Sequence, residues 1–221
     1  MTDKRRNDER PADKKLTGIY GILPADIETA DLLNKAEAAL KGGVSVLQFR
    51  DKKRGYKQAI KRAKALRELT RRYDARLIIN DLVNLAVDAD ADGVHLGRDD
   101  VVNLIQLRNE VGDDFIIGVT CRSDAAFATA ALKDGADYVS FGAVWATTSK
   151  PEVPTMGLPR LAKARQIFPH ANLCAIGGIN VDNVAQVKAA GADCAAVISG
   201  LFAAEDIQAQ AALLAAIWAQ A

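Results

Sequence analysis

One phrase returns four times along this chain of 221 residues, and it restricts the available folds more than any other feature. A helical stretch runs into a small turn and then a short apolar strand. The copies are Leu40-Lys41-Gly42-Gly43-Val44-Ser45-Val46, Asp90-Ala91-Asp92-Gly93-Val94-His95-Leu96, Lys133-Asp134-Gly135-Ala136-Asp137-Tyr138-Val139 and Ala190-Gly191-Ala192-Asp193-Cys194-Ala195-Ala196-Val197. Three of the four carry an Ala-Asp pair immediately before the strand. The glycines predict a left-handed residue closing each helix. The copies lie about two β-α steps apart, at roughly 25–30 residues per step.

Between the copies sit four more apolar, non-alternating runs: Gly18–Leu23, Arg76–Asn80, Phe115–Thr120 and Leu173–Gly178. Such runs suit strands buried on both faces. Ala25–Lys41, Lys57–Tyr73, Leu158–Phe168, Asp182–Ala190 and Ala204–Ala219 read as helices, rich in Ala, Leu, Lys, Glu and Gln. Eight strands alternating with helices predict an α/β chain with a parallel sheet. An open doubly wound sheet is the alternative, but it would not produce four similar quarters, so a single-domain (β/α)8 TIM barrel over residues 16–221 is the expectation. Residues 1–15, charged throughout, read as a disordered tail.

Composition removes several classes of function. Lys plus Arg number 29 and Asp plus Glu 28, so no net charge draws the chain to nucleic acid or to an acidic membrane. Aromatics at 5% leave few platforms for stacking bases. Cys121, Cys174 and Cys194 have neither disulfide-framework nor metal-ligand spacing, and free thiols suit a cytoplasmic protein. The first 15 residues contain no apolar segment that could form a signal or membrane span.

Reactive groups of such a barrel gather where strands run out into βα-loops. Here those positions hold Gln48-Phe49-Arg50-Asp51-Lys52, Asn80-Asp81, Gly97-Arg98-Asp99-Asp100, Thr120, Phe141–Lys150, Gly177-Gly178 and Ile198-Ser199-Gly200. Arg50, Lys52 and Lys150 are cations for a polyanion. Asp81 and Asp100 (or Asp99) are carboxylates on adjacent strands, and Mg²⁺ commonly takes one or two protein carboxylates plus phosphate oxygens and water. Gly177-Gly178 and Ile198-Ser199-Gly200 stand where barrels bind a phosphate through backbone N–H groups. Two phosphate regions imply two phosphorylated substrates, hence a transferase. Each residue also has a plainer role open to it. Asp81 and Asp100 could be helix N-caps, Arg50 and Lys52 solvated charges, and Gly177-Gly178 a packing device. His95 reads as an inward, hydrogen-bonded core residue. Only the joint placement speaks for chemistry.

At these residues the sequence resembles the thiamin phosphate synthase (thiamin-phosphate pyrophosphorylase) family. The phrases that carry the resemblance are Gln48–Lys52, Leu77–Asp81, Ala91–Gly97, Gly135–Val139, Ala175–Ile179 and Val197–Ser199, in that order from about Gly18 onward. The resemblance implies an enzyme joining two phosphorylated heterocycles. These are 4-amino-5-hydroxymethyl-2-methylpyrimidine diphosphate and 4-methyl-5-(2-phosphoethyl)-thiazole, giving thiamin monophosphate and pyrophosphate. It implies a dissociative path through a pyrimidine methyl cation. By position, Gln48, Phe49, Arg50, Asp51, Lys52, Asn80, Thr120 and Lys150 match the pyrimidine diphosphate site, with Arg50, Lys52 and Lys150 as the catalytic cations. Asp81 and Asp100 match Mg²⁺ ligands. Thr147, Thr148, Ser149, Gly178, Ile198 and Ser199 match the thiazole phosphate site. Small molecules are the implied partners, with neither nucleic acid nor membrane; assembly into a homo-oligomer is left open.

The chain also departs from the family pattern. Arg98 replaces a usual glutamine, where it could touch the diphosphate or compete with Mg²⁺ for Asp100. Thr120 replaces serine, and Arg122 a frequent histidine. Ala143 and Ala146 replace prolines, which should loosen their loop. A thiazole tautomerase related to the family needs that histidine, and a precursor-binding protein would not need both acidic residues. A paralogue acting on other phosphorylated substrates is the remaining alternative.

Overall fold

The structure, a computed structural model, describes residues 14–51, 53–100, 103–147 and 153–221. Strands β1 (Gly18–Ile22), β2 (Val46–Phe49), β3 (Arg76–Asn80), β4 (Gly93–Leu96), β5 (Ile116–Arg122), β6 (Tyr138–Gly142), β7 (Asn172–Ile176) and β8 (Cys194–Val197) are parallel and close into a barrel in chain order. Pairing of Gly18–Gly21 with Cys194–Val197 closes the ring and excludes the open sheet. Helices α1 (Thr29–Lys41), α2 (Tyr56–Arg72), α3 (Val83–Asp88), α4 (Leu104–Val111), α5 (Ala125–Lys133), α6 (Gly157–Ile167), α7 (Val184–Ala189), α8 (Ser199–Phe202) and α9 (Ile207–Gln220) surround it. Among the described residues, no helix is long and apolar enough to cross a membrane.

Strand residues alternate between two separate apolar clusters. Leu47 and Phe49 of β2 join the layer between strands and helices, while Val46 joins Tyr20, Ile78, Ile116, Tyr138, Cys174 and Cys194 inside the barrel. On α9, Ile207, Ala211, Leu214 and Trp218 are buried at alternating steps of four and three, the stripe of a core-facing helix. Side chains of Asn103, Asp124 and Asp206 cap α4, α5 and α9 by accepting N–H bonds at 2.9–3.0 Å.

The repeated phrase has a physical basis. In each copy the residue at C″ returns its N–H to a carbonyl five residues back: Val44 to Ala39, Ala91 to Ala86, Ala136 to Ala131 and Ala192 to Val187. The left-handed residue of this motif is Gly43, Asp90, Gly135 or Gly191. Gly42 and Gly93 do not take that role. Gly42 has φ −82° and lies so close to α9 that a Cβ would stand 2.4 Å from that of Ala211. Gly93 belongs to β4, where a Cβ would meet the Ile116 carbonyl.

The aspartate of the Ala-Asp pair is a clasp at the base of the barrel. Asp92, Asp137 and Asp193 accept the N–H groups of Leu77, Ile117 and Leu173 on the preceding strand at 2.7–2.8 Å. Their own N–H groups donate to the carbonyls of those same residues. Each carboxylate also binds an arginine of the helix before that strand: Arg67 of α2, Arg108 of α4 and Arg165 of α6. The fourth copy has Ser45 instead, whose hydroxyl donates to the carbonyls of Thr17 and Ile19.

The chain before β1 closes the base. Leu16 is 1% exposed inside the barrel, and its N–H and carbonyl pair with the Asn172 side chain at 2.8 and 2.9 Å. Lys14 and Lys15 form ion pairs with Asp137 and Asp193. Residues 1–13 of the charged run lie outside the described residues.

Candidate active site

At the opposite end a cleft, open at its top, is lined by Arg50, Thr120, Arg122, Thr147, Gly177, Gly178, Ile198 and Ser199 among others. Ends of strands β2, β5, β6, β7 and β8 therefore reach one cavity. Period-two alternation explains why Arg50 arrives there: Gln48 points inward, Phe49 outward, and the next residue turns in again. Gly177 and Gly178 both have positive φ, and the loop after β6 lies directly against them. Val144 and Trp145 donate their N–H groups to the carbonyls of Ile176 and Gly177 at 2.9 and 3.0 Å. The start of this loop is therefore pinned to β7 without the prolines.

Asp81 and Asp100 converge on Gly97 from two sides. Asp81 has φ +60° and accepts the Gly97 N–H at 3.2 Å and the Asn80 amide at 2.6 Å. A Cβ on Gly97 would lie 2.4 Å from Asp100 Oδ2 and 3.6 Å from Asp81 Oδ1. Neither carboxylate caps a helix: α3 begins after Leu82, and Asn103 caps α4. Two acidic groups held close together by the missing side chain of a glycine fit a hard divalent cation that fills its other positions with substrate oxygens and water.

The remaining expected residues divide. Gln48 is buried inside the barrel, donating its amide to the Tyr20 hydroxyl at 2.8 Å. Phe49 faces the helices beneath the Arg62 guanidinium. Asp51 is buried in an ion pair with Arg62 at 2.7 Å, so both side chains serve α2 rather than the cleft. Lys52, Thr148, Ser149 and Lys150 lie outside the described residues.

Two departures from the family pattern are now placed. Arg98 turns away from the acidic pair: it binds Asp124 at 2.8 Å and lies 4.6 Å over the Phe127 ring. Hydrogen bonds from the Phe127 N–H and then from Arg98 hold the Asp124 carboxyl below its usual range. Arg122 reaches the cleft because β5 bulges between Thr120 and Arg122, where Arg122 takes φ +55°; its partner is Asp99 at 3.6 Å. That bulge has no sequence signature, and Arg122 is a charged cleft residue that strand-end counting omits. Cys121 is buried between strand and helix, and burial pushes its thiol up to about 12, away from nucleophilic use.

Comparison with known proteins decides the family. A model of the thiamine monophosphate synthase family matches residues 19–201. The chain belongs to that family. It is 45% identical over 197 residues to a thiamine-phosphate synthase of Methylobacillus flagellatus, covering 89% of this chain and 92% of that one. It is 44% identical over 208 residues to the thiamine-phosphate synthase of Thioalkalivibrio sulfidiphilus, at 93% and 97% coverage. A thiamine phosphate pyrophosphorylase structure from Pyrococcus furiosus superposes with a TM-score of 0.82 at 34% identity, covering 92% and 96% of the two chains. The chain is thus an enzyme of the transferase class, as its relatives are.

Proposed function

We propose that the chain couples 4-amino-5-hydroxymethyl-2-methylpyrimidine diphosphate with 4-methyl-5-(2-phosphoethyl)-thiazole, releasing pyrophosphate and forming thiamin monophosphate. The observation that carries this reading is the convergence of Asp81 and Asp100 on Gly97, at the end of the barrel that also carries Arg50 and Thr120, although the acidic pair does not line the cleft itself. Diphosphate departure develops negative charge, and fixed positive and hydrogen-bonding groups aimed at that charge lower the barrier. Arg50 supplies a guanidinium and Thr120 a hydroxyl, while Lys52 and Lys150 add cations by their place in the sequence. Mg²⁺ held by Asp81 and Asp100 would neutralise the leaving pyrophosphate. Backbone N–H groups at Gly178 and Ser199, with Thr147 and Ile198, would hold the thiazole phosphate in the cleft, and Thr148 and Ser149 are assigned to it by their place in the sequence. The thiazole nitrogen already carries its lone pair, so no general base is needed; positioning accounts for the rest.

The test is a coupling assay with purified protein, both substrates and Mg²⁺, following thiamin monophosphate. Product that disappears with EDTA and returns with Mg²⁺ is expected. Folded protein that yields no product would transfer the chain to a paralogue with other phosphorylated substrates.

A further inference from the structure

Five side chains stand in single file inside the barrel, directly beneath the cleft. Gln48 Nε2 lies 2.8 Å from the Tyr20 hydroxyl, and that hydroxyl 3.0 Å from the Tyr138 hydroxyl. His95 Nδ1 lies 2.8 Å from Tyr138, and His95 Nε2 lies 2.8 Å from Thr120 Oγ1. Room for the file is made by Gly118, where a Cβ would stand 2.0 Å from Tyr138 Cζ, and the Tyr138 ring stacks on His95 at 5.5 Å.

The chemistry of the donors gives this file a direction. An amide nitrogen only donates, so Tyr20 accepts from Gln48. Burial raises both phenols well above their ordinary range, so each keeps its single proton. Satisfying every buried hydroxyl then sends the Tyr20 proton to Tyr138 and the Tyr138 proton to Nδ1 of a neutral His95. An imidazole accepting at Nδ1 carries its hydrogen at Nε2 and donates it to Thr120. Ser140 Oγ also donates to Thr120, at 3.5 Å. The Thr120 oxygen is therefore occupied as an acceptor, and its proton is directed into the cleft that it lines with Arg50 and Arg122.

We propose that this file is a one-way hydrogen-bond relay that presents the Thr120 hydroxyl as a donor to an anionic oxygen in the cleft, making Tyr138 and His95 positioning residues for the diphosphate. The proposal rests on the synthase reading for the identity of the anion; its direction rests on the protein alone. Without the Tyr138 hydroxyl, Nδ1 loses its donor, the imidazole can move its hydrogen there, and Thr120 then donates to Nε2 instead of to the ligand.

Two measurements test it. Long-range ¹⁵N–¹H spectra of histidine-labelled, ligand-free protein read the tautomer, with a His170→Gln variant assigning the two histidines. An Nε2–H tautomer is expected, shifting toward Nδ1–H in Tyr138→Phe; an Nδ1–H tautomer in the unaltered protein overturns the relay. Calorimetry with magnesium pyrophosphate then reads its effect. Tyr138→Phe should weaken binding by about tenfold, the scale of one hydrogen bond to a charged group, and should add nothing in a Thr120→Val background. Tyr20→Phe removes an equally buried hydroxyl but leaves Tyr138 able to donate to His95, so its loss should stay below about twofold. Equal losses in the two tyrosine variants, or additivity with Thr120→Val, would show a merely structural role and overturn the proposal. An unaltered protein that binds no magnesium pyrophosphate would overturn the synthase reading, and the proposal with it.

Discussion

Gly97→Ala isolates the acidic pair from the rest of the fold. The added methyl would stand 2.4 Å from Asp100 Oδ2, about 1 Å short of an ordinary contact. Gly97 lies outside the left-handed region, so alanine meets no backbone strain. Asp100 sits in an exposed 3-10 turn over Arg98–Asp100 and can swing aside, so the cost in stability should stay below about 1 kcal/mol. That corresponds to a fall in Tm of no more than roughly 4 °C for a domain of this size. Mg²⁺ tolerates such a swing badly, because its ligand oxygens sit near 2.0–2.1 Å in almost ideal octahedral geometry. A ligand displaced by about 1 Å should raise the Mg²⁺ concentration for half-maximal activity by roughly tenfold to a hundredfold, the range seen when ligand orientation is lost. The assay is thiamin monophosphate formation against Mg²⁺ concentration, with thermal melts of the same preparations. An unchanged Mg²⁺ requirement would refute the argument that Asp81 and Asp100 act together across Gly97.

Arg98→Gln should cost about 0.5–1 kcal/mol through loss of the Phe127 and Asp124 contacts, with the Mg²⁺ requirement unmoved; a shifted requirement would put Arg98 on the metal or diphosphate after all. Leu16→Ala should cost about 2–4 kcal/mol as a cavity at the base of the barrel, read by denaturant unfolding, and a cost under about 1 kcal/mol would mean that the segment before β1 seals nothing. Asp193 supplies a pH test. Burial alone would raise its carboxyl, but the Leu173 N–H, Lys15 and Arg165 outweigh it and the net shift is downward. A lowered folded-state value contributes stability above the unfolded carboxylate range, near 4, that is lost as pH falls through the folded value. The stability gap between unaltered protein and Asp193→Asn should therefore be full at pH 6 and shrink below about pH 4; a gap independent of pH would remove Asp193 from the acid response.

The ring was legible because its signals are local. Apolar runs such as Arg76–Asn80 and the helix-closing turns are written in adjacent residues, and strand and turn fall where those residues put them. The expected strand starting at Phe115 begins instead at Ile116 and runs on to Arg122, because pairing with β6, absent from the local pattern, extends it. Short helices such as α3 carry too few turns to announce a face. Site residues at strand ends were legible as far as alternation holds: Gln48 and Arg50 point inward as period two requires. What was not legible depends on partners distant in sequence. Asp51 has the composition of a binding residue, yet Arg62 on α2 claims it. Arg98 stands beside the acidic pair but is drawn off by Asp124 and Phe127 on the next unit. Glycine at 97 reads as an ordinary loop residue until two carboxylates are seen on either side of it.

The aspartate clasps divide the chain in a way that bears on how its mouth can change. Each ties a helix to the two strands that follow: α2 with β3 and β4, α4 with β5 and β6, α6 with β7 and β8. The joints between these bundles are the connections after β2, β4, β6 and β8, which carry Arg50, Gly97–Asp100, Ala143–Thr147 and Ile198. Part of the chemistry is thus mounted on the hinges of the frame and part on its panels, which carry Asp81, Thr120 and Gly178. Arginine at 98 and alanines at 143 and 146 alter such hinges while every clasp at the base stays fastened. A frame jointed in this way leaves its working edge free to be rewritten without loosening the ring that carries it.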